Sequence, residues 1–198
     1  MNRLNLLLLA ALLPLAVFAQ GGATSSQVLA YVEKTITSYG AFTVELDIDG
    51  MKSELTVNAD RFYLSSADAN VWYDGSTLWT YIKDAGEVNV STPTADELGN
   101  INPYAILRHW QDNFRHKLRG TAAGYTIVEL TPLHPSDYES LTIYVDGGHN
   151  IRKLTVVFDE ANLSDITISG LKRSVKVDNS MFAFDRTKHP NVDIIDLR

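Results

Sequence analysis

The stretch NVWYDGSTLWTYI, residues 70–82, sets two apolar, aromatic and β-branched runs on either side of Asp74-Gly75. That is the pattern of a β-hairpin closed by a two-residue turn. Pairing across the turn places Tyr73 opposite Ser76, Trp72 opposite Thr77, Val71 opposite Leu78 and Asn70 opposite Trp79. One face then carries Trp72, Trp79 and Tyr81, and the other Val71, Tyr73, Leu78 and Ile82. A hairpin apolar on both faces cannot face water on either side, so the fold has to cover it twice.

Upstream, residues 41–58 alternate around Asp49-Gly50, which pairs Ile48 with Met51, Leu46 with Ser53, Val44 with Leu55 and Phe42 with Val57. The opposite face reads Thr43, Glu45, Asp47, Lys52, Glu54 and Thr56, so this hairpin has one dry and one wet side. Before it, Thr24 to Gln27 forms a capping box, and Val28, Leu29, Val32, Ile36 and Tyr39 share a helical face up to Gly40. Residues 61–65 and 87–91 read as further strands. From residue 92 the period changes. Thr94 to Glu97 is a second capping box for a helix of barely two turns stopped by Gly99, and Asn102-Pro103 opens another whose Ile106, Leu107, Trp110 and Phe114 lie on one face. Residues 124–130, 138–145, 150–159, 162–170 and 171–178 return to strands at meander spacing, with 181–184 as a last short one. The expected architecture is mainly β (α+β): about ten or eleven antiparallel strands, none linked by a helical crossover. A sheet of that length curls, and helices on its concave side make a half-open barrel over an apolar hollow.

Residues 1–19 combine Arg3, an apolar run too short to span a bilayer and Val17-Phe18-Ala19 before Gln20, the plan of a secretory signal peptide cleaved after Ala19. Residues 20–198 are then expected to be a single exported domain. The formal charge of −7 becomes −8 once Arg3 is removed, a balance unsuited to nucleic acid or to anionic lipid surfaces. The absence of cysteine excludes disulfides and thiol chemistry.

Chemistry is sought among the five histidines. His109 and His116 lie two helical turns apart, without a carboxylate at zinc-ligand spacing. His134, Ser136 and Asp137 are the residue types of a hydrolytic triad, but they crowd one Pro-flanked loop, and a triad needs a base and an orienter from separate elements. The carboxylate pairs Asp96 with Glu97, Asp159 with Glu160 and Glu45 opposite Glu54 fall in exposed or turn contexts. No phosphate loop, nucleophile elbow or dinucleotide fingerprint is present. No enzyme, metal or cofactor is expected. What remains is aromatic surface, Trp72, Trp79, Trp110, Phe42 and Phe62, which suits a container for something apolar.

These residues resemble a known family. The run Asp74-Gly75-Ser76-Thr77-Leu78-Trp79-Thr80-Tyr81 is similar to the DGxTLW signature of the periplasmic outer-membrane lipoprotein carrier LolA. Leu98-Gly99-Asn100-Ile101-Asn102-Pro103 resembles the Gly-Asn-Thr-Pro entry to that family's lid helices. Glu129-Leu130-Thr131-Pro132, Leu141-Thr142-Ile143 and Asp146-Gly147 before Ile151 resemble its later strands, and Met181-Phe182-Ala183-Phe184 with Pro190-Asn191-Val192 its C-terminal part.

The resemblance implies a monomeric periplasmic carrier. It would take the acyl chains of lipoproteins from an inner-membrane ABC-type exporter and deliver them toward the outer membrane, with an outer-membrane acceptor as a further partner. A lipid- or lipoprotein-binding sensor or chaperone of the same fold is the alternative, and a periplasmic hydrolase the more distant one. The expected cavity wall is Phe42, Val44, Leu46, Leu55, Val57, Phe62, Leu64 and Trp79, and the expected lid Ile106, Leu107 and Trp110. In the family an arginine followed by proline, after the first hairpin, latches the lid. Here Ala59-Asp60 occupies that place, and Arg61 stands as the candidate latch in a shifted register.

Overall fold

The computed structural model describes residues 23–198, so the expected signal peptide lies outside the described residues. The first helix, α1 (Ser25–Thr37), is capped as its sequence dictates: Thr24 Oγ1 accepts from the Gln27 amide at 3.2 Å and Gln27 Oε1 from the Thr24 amide at 2.8 Å. The strands follow as β1 (Phe42–Ile48), β2 (Met51–Asn58), β3 (Arg61–Ser66), β4 (Ala69–Tyr73), β5 (Leu78–Ile82) and β6 (Glu87–Ser91). Then come α2 (Ala95–Ile101), a 3-10 turn (Ile106–Arg108) and the single-turn α3 (Trp110–Asn113). The chain returns to sheet as β7 (Phe114–Ala122), β8 (Tyr125–Pro132), β9 (Ser140–Val145), β10 (Ile151–Val157), β11 (Leu163–Lys172) and β12 (Asp193–Asp196).

All twelve strands form one open sheet in the order β12-β6-β5-β4-β3-β2-β1-β11-β10-β9-β8-β7. Two meanders, β1 to β6 and β7 to β11, meet at a central β1–β11 seam. The β1–β2 register is the expected one, because Asp49 and Gly50 both take positive φ, 51° and 90°, as a two-residue hairpin turn requires.

The hairpin at residues 70–82 departs from expectation at its turn. Tyr73 pairs with Leu78, Trp72 with Trp79, Val71 with Thr80 and Asn70 with Tyr81. Four residues make the loop, and Asp74 Oδ1 accepts from the amides of Ser76 and Thr77, each at 2.9 Å. Those bonds fix an Asx-type turn in which only Gly75 needs positive φ, at 106°. The register slips by two residues, which leaves each side chain on its expected face. Val71, Tyr73 and Leu78 join the main apolar core with α1 and the lid, while Trp79 and Tyr81 pack with Val88, Val90, Phe184 and Val192 on the far side.

That second cover is the C-terminal segment, a strap across the convex face. Residues 181–184, expected as a strand, form none: Met181 and Phe182 end a 3-10 turn (Asn179–Phe182) in which Phe182 is fully buried. Residues 171–178 do not form a separate strand. β11 ends at Lys172, and the amides of Ser174 and Val175 bond the carbonyls of Tyr39 and Ala41. Phe184 stacks on His189 at 5.4 Å and meets the Trp72 ring at 5.5 Å. The strap ends in β12, which pairs parallel with β6 and so breaks the expected all-antiparallel order. A parallel neighbour needs a long connection, and here the whole second meander supplies it. Thr43 and Thr56, expected on the wet face, are buried and share a 3.0 Å hydroxyl contact.

The other correction is β7. The helix expected from Asn102 to Phe114 breaks into a 3-10 turn and one α-turn, and Phe114 already begins a strand. The polar alternation of Arg115, Lys117 and Arg119 fits an edge strand against β8, where Lys117 lies opposite Glu129. His116 is therefore on a strand and forms no helical pair with His109.

The strap predicts a stability contrast. Phe182→Ala is expected to cost about 3 kcal/mol by urea denaturation, the loss of a large buried ring. Leu197→Ala, at a side chain 63% exposed, is expected to change stability by less than about 0.5 kcal/mol.

Candidate functional site

The concave face is lined where β1 and β2 alternate inward. Phe42, Val44, Leu46, Leu55, Val57, Phe62 and Leu64 are all buried and belong to one apolar cluster with Ile106, Leu107 and Trp110. Apart from Trp79, the residues expected as wall and those expected as lid thus pack on one another. The lid is shaped by Asn102, which is 3% exposed. Its amide donates to the Leu98 carbonyl at 2.8 Å, closing α2, and its Oδ1 accepts from the Tyr104 amide at 3.0 Å. Gly99 does not stop the helix as expected but lies within it, where a Cβ would come within 3.0 Å of Ile106 Cγ1. Glycine at this place lets the following turn pack tightly on α2.

Between the lid, the end of α1 and the β2–β3 turn lies a hollow of about 610 Å³, a size typical of small-molecule sites. Its apolar lining includes Ile36, Phe42, Val57, Tyr104 and Leu107, and its polar lining includes Glu33, Asp60, Arg108 and His109. Tyr104 is 5% exposed and meets Phe42 edge to face at 4.9 Å. Burial pushes its phenol well above the usual tyrosine range, so the hydroxyl stays protonated.

Two side-chain ties hold the lid, beside a backbone bond from the Leu133 amide to the Asn113 carbonyl at 2.8 Å. Trp110 Nε1 donates to Glu33 Oε2 on α1 at 3.2 Å, and Arg108 pairs with Asp60 in the β2–β3 turn. Burial lowers the Arg108 pKa, opposing its charged form. Beside them, His116 packs its ring edge-on to Trp110 at 5.0 Å and shares a 2.9 Å contact between Nδ1 and Ser25 Oγ.

Of the expected wall and lid, Phe42, Val57 and Leu107 line the hollow, whereas Val44, Leu46, Leu55, Phe62, Leu64, Ile106 and Trp110 are packed into the core beside it. The other two expected residues lie elsewhere. Trp79 lies on the convex face under the strap, packed with Val88, Val90 and Val192, and not on the cavity wall. Strand parity forces this, since Leu78 faces the core. Arg61 does not reach the lid: its guanidinium donates to Asn179 Oδ1 at 2.9 Å and lies 5.2 Å from the Phe182 ring, pinning the strap. With Phe62 facing the core, Arg61 must face away. The neighbouring Asp60 makes the tie to the lid instead. Glu33, Asp60, Tyr104 and Arg108 were not marked in the sequence. The apolar stripe of α1 offered a signal for Glu33, which stands beside it, but the Asp60–Arg108 pair joins distant segments and leaves no local pattern.

The hydrolytic constellation is not assembled, for Ser136 Oγ is buried without a hydrogen-bond partner and His134 is exposed. Among the described residues no three His, Cys, Asp or Glu side chains are grouped to hold a metal ion.

Residues 15–131 match the family described as Outer membrane lipoprotein carrier protein LolA. An uncharacterised conserved protein from Thermus thermophilus has a similar structure, with a TM-score of 0.60 at 8% identity over 86% of this chain and 98% of that one. A LolA superfamily protein from Nitrosomonas europaea gives a TM-score of 0.49 at 11% identity over 82% and 98%. No curated protein matches the chain.

The Arg108–Asp60 tie predicts a local effect on opening. Both side chains are well exposed, so Asp60→Asn is expected to change global stability by less than about 1 kcal/mol. Hydrogen exchange at the lid amides of Ala105, Arg108 and Asn113 is expected to accelerate by up to about fivefold, the same free energy read locally.

Proposed function

The chain belongs to the LolA family of outer membrane lipoprotein carrier proteins, and on that footing we propose that it is a periplasmic carrier of lipoproteins. It shelters their acyl chains in its hollow on the way from the inner to the outer membrane. The observation that carries this reading is the hollow of about 610 Å³ set against an apolar wall under a small, separately tied lid.

The energetics suit a carrier. Hydrocarbon burial is worth about 0.8 kcal/mol per methylene, so a sixteen-carbon chain contributes on the order of 10 kcal/mol. A protein that kept all of this would not release its load. Here Ile106, Leu107 and Trp110 already occupy the wall formed by Phe42, Val44, Leu46, Leu55, Val57, Phe62 and Leu64. An entering chain replaces those contacts, so its net affinity is the difference between two apolar fillings. The lid is an internal competitor, and every fraction of time it spends closed weakens apparent binding by that fraction. In this reading an inner-membrane ABC-type exporter supplies the lipoprotein and an outer-membrane acceptor takes it. Binding, with no covalent step, is the whole of the activity.

The test is to incubate the purified mature protein with inner-membrane spheroplasts carrying an active exporter and to look for a soluble protein–lipoprotein complex. Its appearance is the expected result, and its absence sinks the carrier role. Leu107→Glu, which puts a charge at a side chain 2% exposed, is expected to abolish loading while the sheet's circular dichroism is retained. Unchanged loading would count against the lid.

A further inference from the structure

The polar residues at the hollow are not balanced. Glu33 and Asp60 bring two carboxylates, against one guanidinium from Arg108. That guanidinium is already committed to Asp60. Glu33 uses Oε2 for Trp110 Nε1, and its other oxygen makes no hydrogen bond among the described residues. The chain as a whole carries a formal −7, so the wider field has the same sign as the lining. Tyr104, 5% exposed, also lines the hollow, and its hydroxyl bonds no described residue.

We propose that the hollow selects an acyl chain whose polar end is a cation, a protonated amine held by Glu33 and Asp60. This rests on the container reading of the same hollow. An ammonium carries three donors and no acceptor, which matches the free Glu33 oxygen and the Asp60 carboxylate. The Tyr104 hydroxyl is a donor for the carbonyl of an ester or amide on the same ligand. An anionic head meets two carboxylates and one engaged guanidinium, and a neutral head gains nothing from either. The ammonium also competes with Arg108 for Asp60, so the ligand loosens the lid's tie as it enters. Selection and opening are then one event at Asp60.

The test uses displacement of a fluorescent apolar probe from the intact protein by dodecylamine, dodecyl maltoside and dodecanoate below their aggregation limits. Dodecylamine is expected to bind about three- to tenfold more tightly than dodecyl maltoside at low salt, the scale of one or two partly exposed ion pairs. The ratio falls toward one as salt screens it. Glu33→Gln combined with Asp60→Asn is expected to bring that ratio close to one, while Asp193→Asn, on β12, leaves it unchanged. Equal binding of amine and maltoside, or tighter binding of dodecanoate, overturns the proposal while leaving the container intact. Displacement by none of the three overturns both. A palmitoylated peptide with a free α-amine, its N-acetylated twin and lysophosphatidylethanolamine then separate the sources. A preference lost on acetylation assigns an acylated peptide; tighter binding of the lysolipid than of either peptide assigns a lipid head group.

Discussion

The constraint on which the rest depends is that the β4–β5 hairpin carries apolar side chains on both faces. A curved sheet normally rests one face on a core and wets the other. Here Val71, Tyr73 and Leu78 face α1 and the lid, while Trp79, Tyr81, Val88 and Val90 need a different partner. The strap answers that need. It brings Phe182 to full burial, lays Phe184 and His189 against Trp72, and ends as an added parallel strand. With the outer side of that hairpin covered by the chain itself, its inner side joins the core shared with α1 and the short helical turns. The division of labour is one of size: a long cover outside, and inside a short one held by a few polar ties and the apolar contacts of Tyr104, Ile106, Leu107 and Trp110.

The lid's design follows from its size. A four-residue helix and a single 3-10 turn have almost no stability of their own. They stay in place because Ile106, Leu107 and Trp110 fill space that the strands cannot fill, and because Glu33 and Asp60 fix their edges. Such an element is drawn from the low-stability end of the structure, where local opening is cheap. The carboxylates that hold it are the groups lining the hollow. Whatever competes for them acts on the lid at once.

Much of this was legible in the sequence where the determinants are local. The β1–β2 register could be read because Asp49-Gly50 fixes the turn, and α1 because Thr24 and Gln27 cap each other. The faces of the 70–82 hairpin could be read despite the wrong turn, since parity survives a two-residue slip. Apolar periodicity on each element was enough to mark Phe42, Val57 and Leu107, which line the hollow, but not to separate them from neighbours that are simply packed in the core. β7 was missed because Phe114 to Arg119 carries the charges of a surface helix, and only β8 across the gap makes it a strand. β12 was missed because its partner β6 is a hundred residues away. The site's polar residues were missed for the same reason: Asp60 and Arg108 are ordinary surface residues until the lid folds back over the β2–β3 turn. Arg61, which the family resemblance favoured, was one position out of phase with the side it had to reach.

The β1–β11 seam has a kinetic consequence. Each meander assembles from neighbours in sequence, hairpin by hairpin, but the seam joins Glu45 to Ser169 and Leu46 to Ile168. Its closure entropy is unrecovered until both halves exist, and non-local pairings of this kind slow folding by orders of magnitude relative to local ones. The two halves are therefore the natural intermediates, each exposing a long unpaired strand edge at what becomes the centre of the sheet. For that interval the chain is a ready template for aggregation. The charged pattern of β1, with Glu45 and Asp47 alternating against its apolar side chains, sets like charges against a second copy of the same strand and guards the seam until its own partner arrives.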